Sequence, residues 1–203
     1  MTRWIEPVTL TGRTVTLEPL ARSHRDGLVS AAADGLLDQL WVTSVPGPDA
    51  IDGWFATAFA QRDGQGALPF VVRLAADGRI VGATRYFNVV AENRRLEIGH
   101  TWYARQVQRT AVNTECKLLL LTHAFETLGC HGVEFRTHFM NHASRRAIER
   151  LGAKLDGVLR SHMVLPDGSL RDTCVFSILS HEWPAVRNNL RYKLAHPAGP
   201  DRV

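Results

Sequence analysis

Residues 96–121 read LEIGHTWYARQVQRTAVNTECKLLLL, and this stretch decides the fold. Leu96 to Tyr103 reads as a strand, a polar turn follows, and a strong helix is predicted over Thr114 to Leu128. Leu118, Leu119, Leu121, Ala124, Phe125 and Leu128 lie on its apolar side, and Gly129 stands just past its end. Backbone N–H groups in the turn and in the helix's first turn have no intrahelical acceptor. With the positive end of the helix dipole behind them they form an anion site, and a pyrophosphate would fit.

Strand and helix signals alternate on both sides of this unit. Upstream, Thr14 to Leu17 alternates like a strand that ends at Pro19. Ser23 is the expected cap of a helix running from near His24 to about Gly35. Asp49 is the expected cap of a second helix carrying Ile51, Trp54, Phe55 and Phe59. Phe70 to Leu74 and Ile80 to Phe87 flank the hairpin turn Ala76-Asp77-Gly78. Downstream, Val133 to Thr137 reads as a strand and Ala143 to Leu151 as a helix stopped by Gly152. Lys154 to Met163 and Asp172 to Leu179 read as an antiparallel pair joined by Pro166-Asp167-Gly168. Ser180 is the expected cap of a last helix holding Trp183, Val186 and Leu190. The order β-α-α-β-β-β-α-β-α-β-β, with that last helix, predicts one mixed α/β sheet flanked by helices. One domain is expected over residues 1–195, with a frayed tail over 196–203.

Composition narrows the function classes. The 203 residues are 45% hydrophobic, enough for one packed domain and too apolar for wholesale disorder. No apolar run approaches the roughly 18 residues of a membrane span, and no secretory signal opens the chain, so no membrane partner is expected. Cys116, Cys130 and Cys174 are an odd set without CxxC spacing, which argues against a disulfide framework or zinc and for the cytoplasm. His138 and His142 stand four residues apart but straddle a strand-to-helix turn with no HExxH carboxylate, so no metal is expected. The net charge of +4 is a weak field, and no RNA- or DNA-binding signature accompanies it. The densest basic cluster, Arg145, Arg146 and Arg150, suits one small polyanion better than a duplex.

Four segments in order resemble a known family. Gln108-Arg109-Thr110-Ala111-Val112-Asn113 stands where the GNAT superfamily of acetyl-CoA-dependent N-acyltransferases carries its pyrophosphate loop, Q/R-x-x-G-x-G/A. Asn141-His142-Ala143-Ser144, followed by Leu151-Gly152-Ala153, is similar to the N-x-x-S … L-G-A/F segment of the branch containing the ribosomal-protein N-acetyltransferases RimJ and RimL. Gly12 to Leu20 resembles that branch's first strand, and Glu97-Ile98-Gly99-His100 its E-I-G-Y strand. The loop departs from the pattern by placing Ala111 and Asn113 where the family has glycines. Ala leaves close backbone approach feasible, and Asn tolerates left-handed geometry or caps the helix.

The resemblance implies a mostly antiparallel GNAT sheet splayed between its fourth and fifth strands, with helices on both faces. It also implies transfer of an acetyl or short acyl group from coenzyme A to a primary amine, a protein N-terminal amine first. Small amines such as polyamines, amino acids or antibiotics stay open, as does a non-catalytic acyl-CoA-binding role. A homodimer is expected on the resemblance alone. No nucleophile for a covalent intermediate is evident, so direct attack in a ternary complex is expected. Glu97 is the candidate base, because partial burial would raise its pKa toward neutrality; its other reading is a salt-bridged structural carboxylate. Ser144 is the candidate proton donor to the thiolate, since the tyrosine many members carry four residues later is here Ile148. Ser144 could equally bond backbone at the helix start. Trp102, the loop Gln108 to Thr114 (Gln108, Arg109, Thr110, Ala111, Val112, Asn113 and Thr114), Asn141, Ser144 and Arg145 are the implied coenzyme contacts. Asn141 has a competing role as helix cap. Trp41 and Trp54 read as acceptor-pocket or core aromatics, and Cys116 as a structural thiol.

Overall fold

The computed structural model describes residues 4–64 and 66–196. A sheet of eight strands runs in the order β1-β2-β3-β4-β5-β6-β8-β7, where β1 is Leu10–Thr11, β2 Val15–Pro19, β3 Leu68–Leu74, β4 Ile80–Val90, β5 Arg95–Tyr103, β6 Gly132–His138, β7 Lys154–Val164 and β8 Leu170–Leu179. Every neighbouring pair is antiparallel except β5 and β6. The helices are α1 (Arg25–Ala33), α2 (Ile51–Asp63), α3 (Ala111–Thr122), α4 (His142–Leu151) and α5 (Trp183–Ala195). Among the described residues no helix is long and apolar enough to cross a membrane.

Side-chain contacts assign the two faces of the sheet. Arg85 on β4 reaches Gln61 of α2 and lies over the Trp54 ring, so Ala83, Arg85 and Phe87 face α2. Tyr86, one residue out of phase, donates its hydroxyl to the Leu120 carbonyl of α3. The core strand β3 is apolar on both faces, as a strand sandwiched between helices must be. The β5–β6 pair holds for three residues, Arg95 opposite Gly132, Leu96 opposite Val133 and Glu97 opposite Glu134, and then the strands part. Just beyond, Gly99 to Trp102 on β5 spans a bulge against Arg85 to Ala83 of β4, with His100 at φ 49°. Such a bulge bends its strand, here away from β6. Discounting the two-residue β1, this opening lies between the fourth and fifth strands, as expected. Gly99 is required there, because a Cβ would sit 2.4 Å from the Phe87 ring.

Several helix ends differ from the sequence reading. α1 and α2 start from His24 and Ala50 without a side-chain cap, so neither Ser23 nor Asp49 has the role expected of it. Ser23 lies inside a short 3-10 turn (Arg22–His24), and His24 is buried with its Nδ1 accepting the Ala21 N–H. α5 starts from Glu182 rather than Ser180; the Glu182 carboxylate accepts the Leu179 N–H. The helix expected to run unbroken to Leu128 ends at Thr122 and widens into a π-turn over His123–Thr127. Phe125 in that turn stacks on Trp183, and Glu126 accepts the Trp183 indole N–H, so packing on α5 sets its course. β1 (Leu10–Thr11), which pairs with β2, is a strand the sequence pattern did not predict. Of the tail expected from His196, residues 197–203 lie outside the described residues.

One carboxylate fastens α3 to the sheet edge. Glu115 accepts the backbone N–H groups of Arg13 (2.9 Å), Thr14 (2.6 Å) and Val15 (2.9 Å), and a Cβ at Gly12 would lie 2.7 Å from its carboxyl carbon. Glu115→Ala leaves those three donors without an acceptor, and should destabilise the fold by about 2–4 kcal/mol in urea unfolding. A loss below about 0.5 kcal/mol would contradict this clasp.

Candidate active site

β5 and β6 run parallel, so the segments that follow them emerge on the same side of the opening, the usual place for a ligand crevice. After β5 the chain makes a 3-10 turn over Arg105–Val107, held by Asp34 at the end of α1. The Asp34 carbonyl accepts the Arg105 N–H, and its carboxylate accepts the Gln106 N–H at 2.9 Å. The Gln108 side chain then donates to the Tyr103 carbonyl, and Arg109 turns the chain at φ 62°. Thr110 caps α3: its hydroxyl donates to the Val107 carbonyl at 2.6 Å and accepts the Val112 N–H at 3.3 Å.

This geometry corrects two details of the loop. The cap is Thr110 rather than Asn113, and the helix begins three residues before Thr114. Ala111 and Asn113 are both helical, so the absence of glycine at either costs nothing in backbone strain; the left-handed position is Arg109. No backbone carbonyl accepts the N–H of Arg109, Thr110 or Ala111 among the described residues. These donors adjoin a cavity of about 320 Å³ lined by Arg105, Gln108 and Arg109. Free N–H groups, a helix N-terminus and two guanidiniums together fit a pyrophosphate. Two of the nominated loop residues look inward instead. Val112 is buried, and the buried Thr114 hydroxyl accepts from Arg150 at 3.0 Å, linking α3 to α4.

At the last paired residue before the strands part stands Glu97, 2% exposed. Its Oε2 accepts the Asn88 amide at 2.9 Å and lies 3.5 Å from the Arg136 Nε. Arg136 also binds Glu134, which Arg95 holds from the other side. Burial pushes the Glu97 pKa up to about 7, and outweighs the opposing pull of Asn88, Arg136 and Arg171. A carboxyl in this state exchanges a proton near neutrality, which suits a general base.

Across the opening, the Asn141 Oδ1 caps α4 by accepting the Ser144 N–H at 3.0 Å. The half-buried Ser144 hydroxyl makes no hydrogen bond among the described residues. Arg145 donates to the Phe139 carbonyl and lies over the Phe139 ring, which fixes it at the helix start, whereas Arg146 is exposed. Trp102 is buried on the same face of β5 as Glu97, and its indole N–H has no partner among the described residues. Cys116 is buried with its thiol pushed up to about 12, unfit as a nucleophile. No cluster of His, Cys, Asp or Glu that could hold a metal occurs among the described residues.

Comparison with known proteins decides the family. The acetyltransferase (GNAT) domain profile matches residues 14–154. The chain belongs to the GNAT acetyltransferases. Among solved structures, a GCN5-related N-acetyltransferase from Brucella melitensis is 32% identical, with 95% of this chain and 87% of that one covered at a TM-score of 0.85. RimJ of Mycobacterium smegmatis, solved with CoA-disulfide, is 24% identical over 92% and 94% of the two chains at 0.76. The microcin C7 self-immunity acetyltransferase MccE, solved with acetyl-CoA and AMP, is 17% identical over 83% and 93% at 0.71. No curated protein matches by sequence.

This GNAT enzyme is thus an N-acetyltransferase that uses acetyl-CoA, and the donors around Arg109 are chemically suited to the coenzyme's pyrophosphate. The sequence reading missed Asn88, Arg136 and Arg171 around Glu97. Their signal was present: β6 alternates Val133, Phe135 and Thr137 with Glu134, Arg136 and His138, so one face of it meets something other than core. Trp41, 66% exposed, stands edge-on to His138 at the end of that polar row, so the α1–α2 connection reaches over the opening.

The Glu97 carboxyl gives a stability signature. Its folded pKa is raised above the ordinary 4.5, so its contribution is most favourable below about pH 4.5 and is lost as pH rises through about 7. Glu97→Gln should therefore gain stability relative to the wild type from about pH 5 to about pH 8, by roughly 2–3 kcal/mol in denaturant titrations. Parallel pH profiles for the two proteins would show that Glu97 ionises normally.

Proposed function

We propose that the enzyme acetylates a primary amine by direct attack in a ternary complex, with Glu97 as general base and Ser144 as proton donor. The observation that carries this reading is the position of Glu97: a desolvated carboxyl at the point where β5 and β6 separate, between the loop after one strand and the helix start after the other. Acetyl-CoA, when bound, supplies the activated acyl carbon and a thiolate leaving group. Gln108 to Asn113 hold its pyrophosphate through backbone N–H groups and Arg109, while Asn141 and the unpaired edge of β5 near Trp102 meet the pantetheine amides.

The chemistry follows from the residues in place. An ammonium is inert until it loses a proton, and Glu97 accepts that proton, directly or through a water, because burial makes it a stronger base than a solvated carboxylate. Asn88 and Arg136 hold the carboxylate in one orientation and, among the described residues, leave Oε1 without a hydrogen bond. The N–H groups of β5 beyond Glu97 have no β6 partner and can donate to negative charge on the acyl oxygen. Ser144, its N–H tied to Asn141, keeps its hydroxyl for the departing thiolate. A protein N-terminal amine is the leading acceptor, and the structural likeness to RimJ supports a RimJ/RimL-like branch. Three free, buried cysteines support a cytoplasmic setting.

In this account kcat/KM rises through an ionisation near pH 7, and Glu97→Gln removes that limb and lowers the rate by about 10²–10⁴-fold. Asn88→Ala, which deletes a hydrogen bond that favours the carboxylate, should move the limb to higher pH. Ser144→Ala should lower kcat by about one order of magnitude with coenzyme affinity retained. A wild-type pH profile that survives in Glu97→Gln would remove it as the base.

A further inference from the structure

The face of the sheet that carries Glu97 continues across β6 onto β8, and its charges do not balance. Strand register places Glu134, Arg136 and His138 of β6 on the Glu97 side, His138 opposite Thr173, with Arg171 two residues before Thr173 on the same side of β8. On β5, β6 and β8 three guanidiniums, Arg95, Arg136 and Arg171, meet two carboxylates, Glu97 and Glu134; Arg85 of β4, on the same face, is bonded to Gln61 and covered by the Trp54 ring. Arg95 and Arg136 are both hydrogen-bonded to Glu134. Arg171 is not so provided for.

Arg171 is half-buried, and its one hydrogen bond among the described residues runs from Nε to the Thr173 hydroxyl at 3.1 Å. It forms no ion pair among the described residues, so both terminal nitrogens of its fork are uncommitted. Its charge is felt at Glu97 and at His138, which places it between the base and the end of β6. Of the other groups there, Arg136 keeps a buried Nε without a hydrogen-bond partner among the described residues, 3.5 Å from Glu97, and the rest are bonded. His138 Nδ1 accepts the Met140 N–H, which leaves the ring proton on Nε2; His162 pairs with the Thr173 hydroxyl; Asp172 is held by Arg160 and the Ser161 N–H. Trp41 stands edge-on to His138 at the end of this row. A half-desolvated guanidinium without a carboxylate is costly to hold and is the natural receptor for a bidentate anion.

We propose that Arg171 is a specificity residue that binds an anionic group, a carboxylate above all, on the amine acceptor. The inference rests on the transferase reading and deepens it by naming the substrate class: primary amines that carry an acid close to the nitrogen. The ammonium meets Glu97 while the acid meets the Arg171 fork, so one molecule offsets both buried charges. A free amino acid and an acidic N-terminal peptide share this chemistry.

The test compares matched acid and amide acceptors, with release of the coenzyme A thiol as readout. Glycine against glycinamide probes free amino acids, and Ser-Glu against Ser-Gln N-terminal peptides probe protein-like acceptors. In at least one pair the acid should be favoured tenfold or more in kcat/KM, mainly through KM. Arg171→Gln should collapse that ratio toward one, and Arg171→Lys, which keeps the charge but not the fork, should restore part of it. Equal or better use of the amide in both pairs, or a ratio unmoved in Arg171→Gln, overturns the proposal. Calorimetric binding of acetyl-CoA to the same proteins tests the transferase reading separately, since failure to bind would sink that reading whatever Arg171 does.

Discussion

Two parallel strands that pair for three residues and then separate impose the rest of this molecule's design. Hydrogen-bonded backbone is abandoned in the middle of a sheet, which is tolerable only where something else meets the exposed N–H and C=O groups. On the β5 side the bulge at Gly99–His100 bends the strand away, and on the β6 side the strand stays paired to β8 as far as His138. The two following segments, the Thr110-capped start of α3 and the Asn141-capped start of α4, therefore stand at one opening, and the Arg150–Thr114 hydrogen bond ties the two helices. Among the described residues the Ala111 N–H at the start of α3 and the Ala143 N–H at the start of α4 have no acceptor, so each side of the opening offers a donor.

The same separation explains the electrostatics. A carboxyl at the last paired position is surrounded by strand on both sides and reaches little water. Burial brings the Glu97 pKa up to about 7, so that it is roughly half ionised near neutral pH even with Asn88 and Arg136 in contact, because loss of hydration outweighs those partners. A fully ion-paired glutamate would be a poor base. Glu134, one strand over, is that contrasting case: two arginines hold it ionised, and its pKa lies below the usual value. Two glutamates opposite one another in register thus serve different ends, one as a fixed counter-charge and one as a group that can take up a proton.

Most of the fold was legible in the sequence because the signals were local and redundant. The run from Leu96 to Leu121 announces strand, turn and helix, and the hairpin turns at Asp77-Gly78 and Asp167-Gly168 are encoded by residues that bond their own backbone. What escaped the reading was set by distant partners. Thr110 rather than Asn113 caps α3 because its hydroxyl bonds back to Val107, and α3 gives way to a π-turn because Phe125 and Glu126 lock onto Trp183. Glu97 stood out as a carboxylate in an apolar strand. Arg136 and Arg171 did not, because charges alternating along a strand normally signal a solvated face. Only the sheet order brings β6 and β8 beside β5 and turns that face into the wall of a site.

The central claim is that the β5 backbone beyond Glu97, with the loop that follows, is left unpaired to receive the coenzyme. Residue-resolved hydrogen exchange with and without coenzyme A tests it most directly. The account predicts fast exchange in the free protein for the β6-facing amides of residues 98–103 and for Arg109 to Ala111, and strong slowing at both places when coenzyme A is added. Arg95 to Glu97, already paired with β6, should change little. Full protection of residues 98–103 in the free protein, or no slowing of Arg109 to Ala111 at millimolar coenzyme A, would contradict it.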